Sequence, residues 1–189
     1  MLLAIPIGIF LGLLARGRLE GLAALRLRWA WLAVAGLLVQ VVLFSETGNE
    51  LAGAYGPAIY VASTFAVFVA VVRNLRVTGM PLVALGSLSN LLAISANGGY
   101  MPAAPAALHA AGLDGPGAHT NSIVLEDPAL EPLTDIFAIP GSLPLANVFS
   151  VGDVLLGIGI VVIIVAAMRR PVSLAWDPAD DGRAANQVS

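Results

Sequence analysis

Long runs of apolar residues without a charged side chain recur along this chain, and arginines follow or precede most of them. Hydrophobic residues make up 58% of the sequence and charged residues 11%, whereas a soluble domain has roughly 25% charged residues. A soluble protein of this size leaves much of its surface in water and cannot bury so much apolar surface. The composition therefore excludes an ordinary cytosolic enzyme, a disordered chain and a nucleic-acid binder, and it predicts an integral membrane protein.

Five of the apolar runs are candidates for membrane-spanning helices. A helix needs about 20 residues to cross a bilayer, with a range of about 17 to 25. We therefore predict an all-α helical bundle in one membrane domain, residues 1–170, followed by a disordered cytoplasmic tail, residues 171–189. The predicted spans are residues 2–15, 29–44, 57–72, 79–96 and 148–168.

The first run has the length of a signal-peptide core, but its basic residues, Arg16 and Arg18, follow it instead of preceding it. This order indicates a retained signal-anchor helix, because a cleaved signal has its positive residues in front. Residues 19–28 are mixed in character and predict a segment that lies on the membrane surface. Residues 45–56 predict a short polar loop.

The basic residues predict the orientation of the chain. All nine are arginines, and in the five-span arrangement they fall on one side of the membrane, whereas residues 45–56 and 97–147 contain none. Because cytoplasmic loops collect basic residues, we predict an extracytoplasmic N-terminus and a cytoplasmic C-terminus. The composition, rich in alanine, glycine, leucine and valine, is typical of a GC-rich genome, so we expect a multi-pass protein of the bacterial cytoplasmic (inner) membrane.

A loop of about fifty residues, 97–147, joins the last two predicted spans, and loops of this length are often functional. Within it, residues 105–111 predict a short helix that ends at Gly112. Residues 136–140 form an apolar patch that either enters the membrane interface or covers the bundle.

The same loop contains two histidines, His109 and His119, and five acidic residues that together offer ligands for a cation. The acidic residues are Asp114, Glu126, Asp127, Glu131 and Asp135. Their spacing matches no metal-binding motif, so a solvated acidic loop is the favoured interpretation. The chain has no cysteine, which excludes disulfides and thiolate metal sites. We therefore predict no metal site and no cofactor.

Polar side chains within the predicted spans concentrate near the extracytoplasmic end. Asn90 and Asp153 lie at matching depth on different spans, within about 11 Å of the outer boundary. One interpretation is hydrogen bonding between helices, which is common in membrane bundles and is favoured for that reason. The other is a polar pocket that opens outward beneath the long loop.

Asp153 itself has two interpretations. Ser150-Val151-Gly152-Asp153 fits a capping box, in which Ser150 caps the helix and Asp153 lies in the first turn. If the helix begins at Asn147 instead, Asp153 is a lone carboxylate inside the span and a functional candidate. The cap is favoured, because it needs no further partner.

Two glycine pairs lie within the predicted spans. Gly8 and Gly12 lie one helical turn apart in the first span and permit close helix contact, either within the chain or between two copies. We expect the lipid bilayer as the main partner of the chain. Other partners are a second copy of the chain, bound through Gly8 and Gly12, or other membrane proteins. The alternative is that the two glycines serve packing within the chain. Gly157 and Gly159 lie within the fifth span without a phosphate-loop context, so they carry no nucleotide signal.

Two stretches near the outer boundary match a known pattern. The first is Asn90 followed by Asn-Gly-Gly-Tyr-Met-Pro at 97–102, and the second is Asn-Val-Phe-Ser-Val-Gly-Asp at 147–153. Together with the order of short spans, they resemble a bacterial membrane family, domain of unknown function 5317, over roughly residues 1–170. The resemblance implies a polytopic membrane protein and gives no catalytic residue.

Because these stretches coincide with the polar cluster, we predict a ligand-binding rim at the outer boundary. Its candidate residues are Asn90, Asn97, Gly98, Gly99, Met101, Pro102, Asn147, Ser150 and Asp153. The predicted function is an accessory or binding protein that holds a partner, a lipid or a small solute there. The alternative is an intramembrane enzyme or small-solute transporter that uses Asp153 and Asn90. The first is preferred, because no charged residue lies deep in a span.

Overall fold

The structure is a computed structural model that describes residues 3–113 and 122–170. The described part is mostly helical, as the composition predicts. The predicted tail at 171–189 and His119 lie outside the described residues. The helices are α1 (Ala4–Leu14), α2 (Glu20–Ala23), α3 (Ala30–Leu43), α4 (Glu46–Ala52), α5 (Gly56–Val72), α6 (Met80–Ala96), α7 (Pro105–Ala111) and α8 (Val151–Met168). The short strands are β1 (Met101–Pro102), β2 (Ser122–Ile123), β3 (Phe137–Ile139) and β4 (Asn147–Phe149).

The five longer helices pack side by side in the order α3, α5, α6, α8, α1. Neighbouring helices are antiparallel except α8 and α1. These two run in the same direction, as the contacts of Gly8 with Ile164 and of Gly12 with Met168 show. The two outermost helices each pack mainly against one neighbour. Their other faces are apolar and exposed: Phe10 of α1 is 62% exposed and Trp31 of α3 is 70% exposed.

Two helical segments are long and apolar enough to cross a membrane, judged by length and composition. They are Glu46–Val72, with 27 residues, and Val151–Met168, with 18 residues. The other long helices, α1, α3 and α6, are apolar but shorter. Fewer helices therefore reach a spanning length than the five spans expected from the sequence.

The predicted polar loop at 45–56 is wrong in its secondary structure. These residues form α4 and a 3-10 turn (Gly53–Tyr55) that leads directly into α5. Ser45 caps α4, since its Oγ accepts a hydrogen bond from the backbone N–H of Gly48 at 3.1 Å. A serine cap followed by Glu46 in the first turn stabilises a helix start, and this signal outweighed the polar composition.

The segment at 19–28 contains the short helix α2, which packs against the C-terminal end of α8. A Cβ added at Gly21 would overlap the carbonyl oxygen of Ala167, so the two backbones are in direct contact. Beside it, Arg18 and Glu20 form an exposed ion pair at 3.5 Å. A hydrogen bond from its own backbone N–H, together with Arg18, lowers the pKa of Glu20.

Glycines bring α6 and α8 into backbone contact. A Cβ added at Gly86 would come within 2.9 Å of the Leu156 nitrogen, and one added at Gly159 within 2.8 Å of the Val83 nitrogen. Gly8 and Gly12 likewise lie against side chains of α8, so their stripe serves internal packing in this chain. Self-association through it stays a prediction.

The described charges divide between the two ends of the helix row. We call one end the arginine end (residues 15–29, 73–79 and 169–170), because it contains every described arginine. We call the other the loop end (residues 44–55, 97–113 and 122–150); with Asp153, it contains every described acidic residue except Glu20. The helices between them contain no other charged side chain in the described residues.

The described parts of the long loop, residues 97–113 and 122–147, contain regular structure. The predicted helix at 105–111 is confirmed as α7, and Gly112 ends it with φ of 67°. The apolar patch at 136–140 forms β3, which pairs antiparallel with β4 directly before α8. Phe137 of β3 stacks on Phe149 of β4 with ring centroids 5.5 Å apart. No group of three or more metal-ligating side chains occurs among the described residues.

Candidate functional site

The start of α8 is a capping box, which confirms the favoured interpretation of Asp153. The Ser150 Oγ accepts a hydrogen bond from the Asp153 backbone N–H at 3.1 Å. In return, Asp153 Oδ2 accepts one from the Ser150 backbone N–H at 3.1 Å. The helix therefore begins at Val151, three residues after the predicted start of the fifth span, because residues 147–149 form β4.

Asn90 of α6 joins this cap. Its Nδ2 donates a hydrogen bond to Asp153 Oδ1 at 3.1 Å, and its Oδ1 lies 2.9 Å from the Ser150 Oγ, which can donate to it. A Cβ added at Gly152 would overlap Asn90 Oδ1, so a glycine here lets the amide reach the cap. The predicted hydrogen bonding between helices is therefore confirmed for α6 and the start of α8.

A cavity of about 440 Å³ lies beside the Asn90–Asp153 pair at the loop end. Both residues line it, and so do Met101 and Asn147, which the sequence also placed at the rim. The remaining wall is mainly apolar and comes from α5, α6, the residues before α8, and Leu3. Four of the predicted rim residues thus meet at one cavity, and Ser150 lies directly behind two of them.

Two carboxylates line this cavity, one from Asp153 and one from Asp135. Asp135 is only 6% exposed, and its backbone is held by two hydrogen bonds to the β1 segment: its N–H donates to the Pro102 carbonyl, and its carbonyl accepts from the Ala104 N–H. None of the described arginines lines the cavity. Its polar side chains therefore include two acids and two amides, and most of the other side chains that line it are apolar.

Three predicted rim residues end α6 and do not line the cavity. These residues are Asn97, Gly98 and Gly99. The Gly99 N–H donates a hydrogen bond to the Ile94 carbonyl at 2.9 Å, and Gly98 has a left-handed backbone with φ of 70°. This combination is a Schellman turn. Gly99 also has positive φ, and an added Cβ would come within 2.6 Å of the Pro57 Cβ. Both glycines are therefore required by backbone geometry.

Asn97 holds the long loop against α6. Its side chain pairs with the backbone of Ala129 in both directions: Nδ2 donates to the carbonyl at 2.8 Å, and Oδ1 accepts from the N–H at 2.8 Å. Pro102, the last predicted rim residue, is buried in β1 beside the cavity wall. The structure thus places Asn97 and Pro102 in supporting positions.

Sequence reasoning missed Tyr60 and Asp135 as cavity residues. Tyr60 is an aromatic residue in an apolar span, and its pattern does not differ from that of a packing residue. Asp135 was grouped with the solvated acids of the loop. The one available signal was its place directly before the apolar patch at 136–140, which is unusual for a freely solvated side chain.

Comparison with known families adds one finding. A family model described as "Family of unknown function (DUF5317)" matches residues 24–165. The chain belongs to this family. The DUF5317 match confirms the resemblance drawn from the sequence, and it covers all nine predicted rim residues, whereas α1 lies before it. No curated protein and no solved structure matches the chain.

Proposed function

We propose that this chain is a five-span membrane protein that binds a small solute in the loop-end cavity, on the extracytoplasmic side. The observation that carries the proposal is the cavity itself, lined by Asn90, Asp135 and Asp153. Cavities with apolar walls and a few convergent polar groups are typical ligand sites.

Burial and charge support the membrane placement. Only 22% of the apolar window in each of the two longest helical segments is buried, whereas the core helix of a soluble protein is mostly buried. At 1.5 Å per residue, α8 is about 27 Å long, close to the roughly 30 Å of a bilayer core. The division of charge between the two ends fits a cytoplasmic arginine end.

The lining chemistry favours a solute with an apolar body and a hydrogen-bond-donating head group, such as an amine. Asp135 and Asp153 contribute carboxylates, and the apolar wall residues offer contact to hydrocarbon. An anionic head group is disfavoured, because two acids and no basic side chain line the cavity in the described part of the chain.

The hydrogen bonds favour binding over proton-handling chemistry. Both carboxylate oxygens of Asp153 accept hydrogen bonds, from Asn90 and from Ser150, in an arrangement that starts α8. Proton relays and transport sites are usually built on a charged group near the membrane midplane. The enzyme or transporter alternative therefore has less support than binding.

Native mass spectrometry of the protein, extracted gently from its own membrane, tests the proposal. We expect one small molecule per chain. Ala146→Phe adds a ring at the cavity wall and is expected to abolish the adduct, whereas Ala129→Phe, at an exposed loop position outside the cavity lining, is expected to retain it. An adduct that survives Ala146→Phe would contradict binding in this cavity. A second protein in place of a small molecule would contradict the solute proposal and favour an accessory subunit.

A further inference from the structure

A second cavity, of about 600 Å³, lies at the arginine end between the start of α3 and the turn that joins α5 to α6. Arg26 and Arg28 line it from one side, and Arg73 and Arg76 line it from the other. Half of the described arginines therefore converge on one cavity. It lies at the opposite end of the helix row from the Asn90–Asp153 site.

Asn74 fixes the two basic segments against each other. Its Oδ1 accepts a hydrogen bond from the Arg28 N–H at 2.8 Å, and its Nδ2 donates to the Arg28 carbonyl at 2.7 Å. The same Nδ2 donates to the Ala70 carbonyl of α5 at 2.7 Å. Asn74 is only 7% exposed, so this clamp is part of the packed structure.

Trp29 lies between the two basic segments. The Arg73 guanidinium carbon lies 5.5 Å from the Trp29 ring centroid, within range of a cation–π contact. Tryptophan rings prefer the headgroup level of a membrane, so this cavity is placed where lipid headgroups lie. The exposed side chains of Val72 and Leu75 add an apolar border.

Among the described residues, four arginines and no carboxylate line the cavity. Within the described part of the chain, Arg18 forms an ion pair with Glu20, and none of the four cavity arginines forms an ion pair. Like charges that converge repel each other unless an anion lies between them. Guanidinium groups bind phosphate oxygens with two parallel hydrogen bonds, which a single ammonium group cannot do.

We propose that this cavity binds a phosphate group, supplied by the headgroup of an anionic phospholipid of the adjacent leaflet. Basic cavities between membrane helices on the cytoplasmic side are suited to such headgroups. The inference rests on the proposed membrane placement and is independent of the solute cavity. If the test contradicts binding at one cavity, the proposal for the other cavity is therefore unaffected.

The test uses the full chain, delipidated in a neutral detergent and titrated with phosphatidylglycerol or phosphatidylcholine of matched acyl chains. Native mass spectrometry is expected to show one tightly held phosphatidylglycerol and no retained phosphatidylcholine. Arg73→Gln with Arg76→Gln is expected to weaken retention roughly thirtyfold. Arg169→Gln with Arg170→Gln removes the same charge at the same end, outside this cavity, and is expected to stay near the parent.

A second pair of variants separates cavity geometry from net charge. Asn74→Ala leaves every arginine in place but removes the clamp, and it is expected to weaken phosphatidylglycerol retention. Asn97→Ala removes a matching set of hydrogen bonds at the loop end, so it controls for a general loss of stability. Equal weakening by both asparagine variants, or by both arginine pairs, would overturn the proposal.

Competition with inorganic phosphate distinguishes the two sources of the phosphate group. If the occupant is a lipid, millimolar phosphate leaves the phosphatidylglycerol adduct in place, because the acyl chains and the apolar border contribute to binding. Displacement by phosphate alone would assign the cavity to a soluble phosphate and overturn the lipid proposal. Equal retention of phosphatidylcholine would overturn binding of an anionic group.

Discussion

Asn74 and Asn97 make the same three hydrogen bonds at opposite ends of the α5–α6 pair. Each follows the C-terminal end of its helix, donates from Nδ2 to the carbonyl four residues earlier at 2.7 Å, and pairs in both directions with a distant backbone residue. The distant residue is Arg28 for Asn74 and Ala129 for Asn97. Each clamp therefore ties a connecting segment to a helix end, and Asn74 also lines the arginine cavity.

The Asn97 clamp predicts a local effect on the long loop. In Asn97→Ala, the Ala129 N–H and carbonyl lose their side-chain partner, so the loop is expected to open more often while the helices stay packed. We expect a cost of about 1 kcal/mol, confined to the loop end. Hydrogen–deuterium exchange should rise at residues 126–135 and stay unchanged at 26–30. A rise of equal size at both segments would contradict a local role, and Asn74→Ala should give the opposite pattern.

We expect replacement by alanine to change the stability of the protein differently at two buried serines. Ser150→Ala removes the α8 cap and the contact to Asn90, and is expected to cost about 2 kcal/mol. The Ser89 Oγ is buried and has no hydrogen-bond partner among the described residues, so Ser89→Ala is expected to be neutral or stabilising. Thermal denaturation in detergent micelles measures both. Equal destabilisation by the two variants would show that the lost volume of the side chain, and not the lost cap, determines the change in stability.

The sequence predicted those parts of the fold that depend on local signals. The five long helices, the end of α6 at 97–99, the helix at 105–111 and the capping box at Ser150 all follow from residues that are neighbours in the chain. Each signal acts within a few residues, so no knowledge of the tertiary packing was needed. The spacing of Asn90 and Asp153 in depth also predicted their approach, because both lie near the same ends of paired helices.

Other features depend on contacts between distant residues and were not predictable in this way. Asp135 reaches the cavity because β1 holds its backbone, and Asn74 reaches Arg28 across 46 positions in the chain. Residues 45–56 are a different case: they were predicted as a loop from their polar composition, and the Ser45 cap, which is a local signal, was missed. The order in which the five long helices pack was also not predictable from the sequence, because an apolar helix face can pack against any other apolar helix face.

The α6–α8 contact predicts that two glycines of one helix respond differently. An added Cβ at Gly159 meets the Val83 backbone nitrogen at 2.8 Å and the Gly79 carbonyl oxygen at 3.0 Å, whereas nothing lies within 4 Å of one at Gly157. Gly159→Ala is therefore expected to cost about 1–3 kcal/mol. Gly157→Ala is expected to be neutral or to stabilise by up to about 1 kcal/mol. Thermal denaturation of both variants checks this, and equal midpoints would contradict close backbone packing here.

The proposed orientation is directly accessible to labelling, because the chain contains no cysteine. Glu50→Cys places one thiol at the loop end, and Arg170→Cys places one at the arginine end; both positions are exposed. If the arginine end is cytoplasmic, a membrane-impermeant maleimide labels position 50 in intact cells and position 170 only after permeabilisation. Labelling of both positions, or of neither, in intact cells would contradict a membrane between the two ends. Labelling of position 170 alone would reverse the proposed orientation and place the Asn90–Asp153 cavity on the cytoplasmic side.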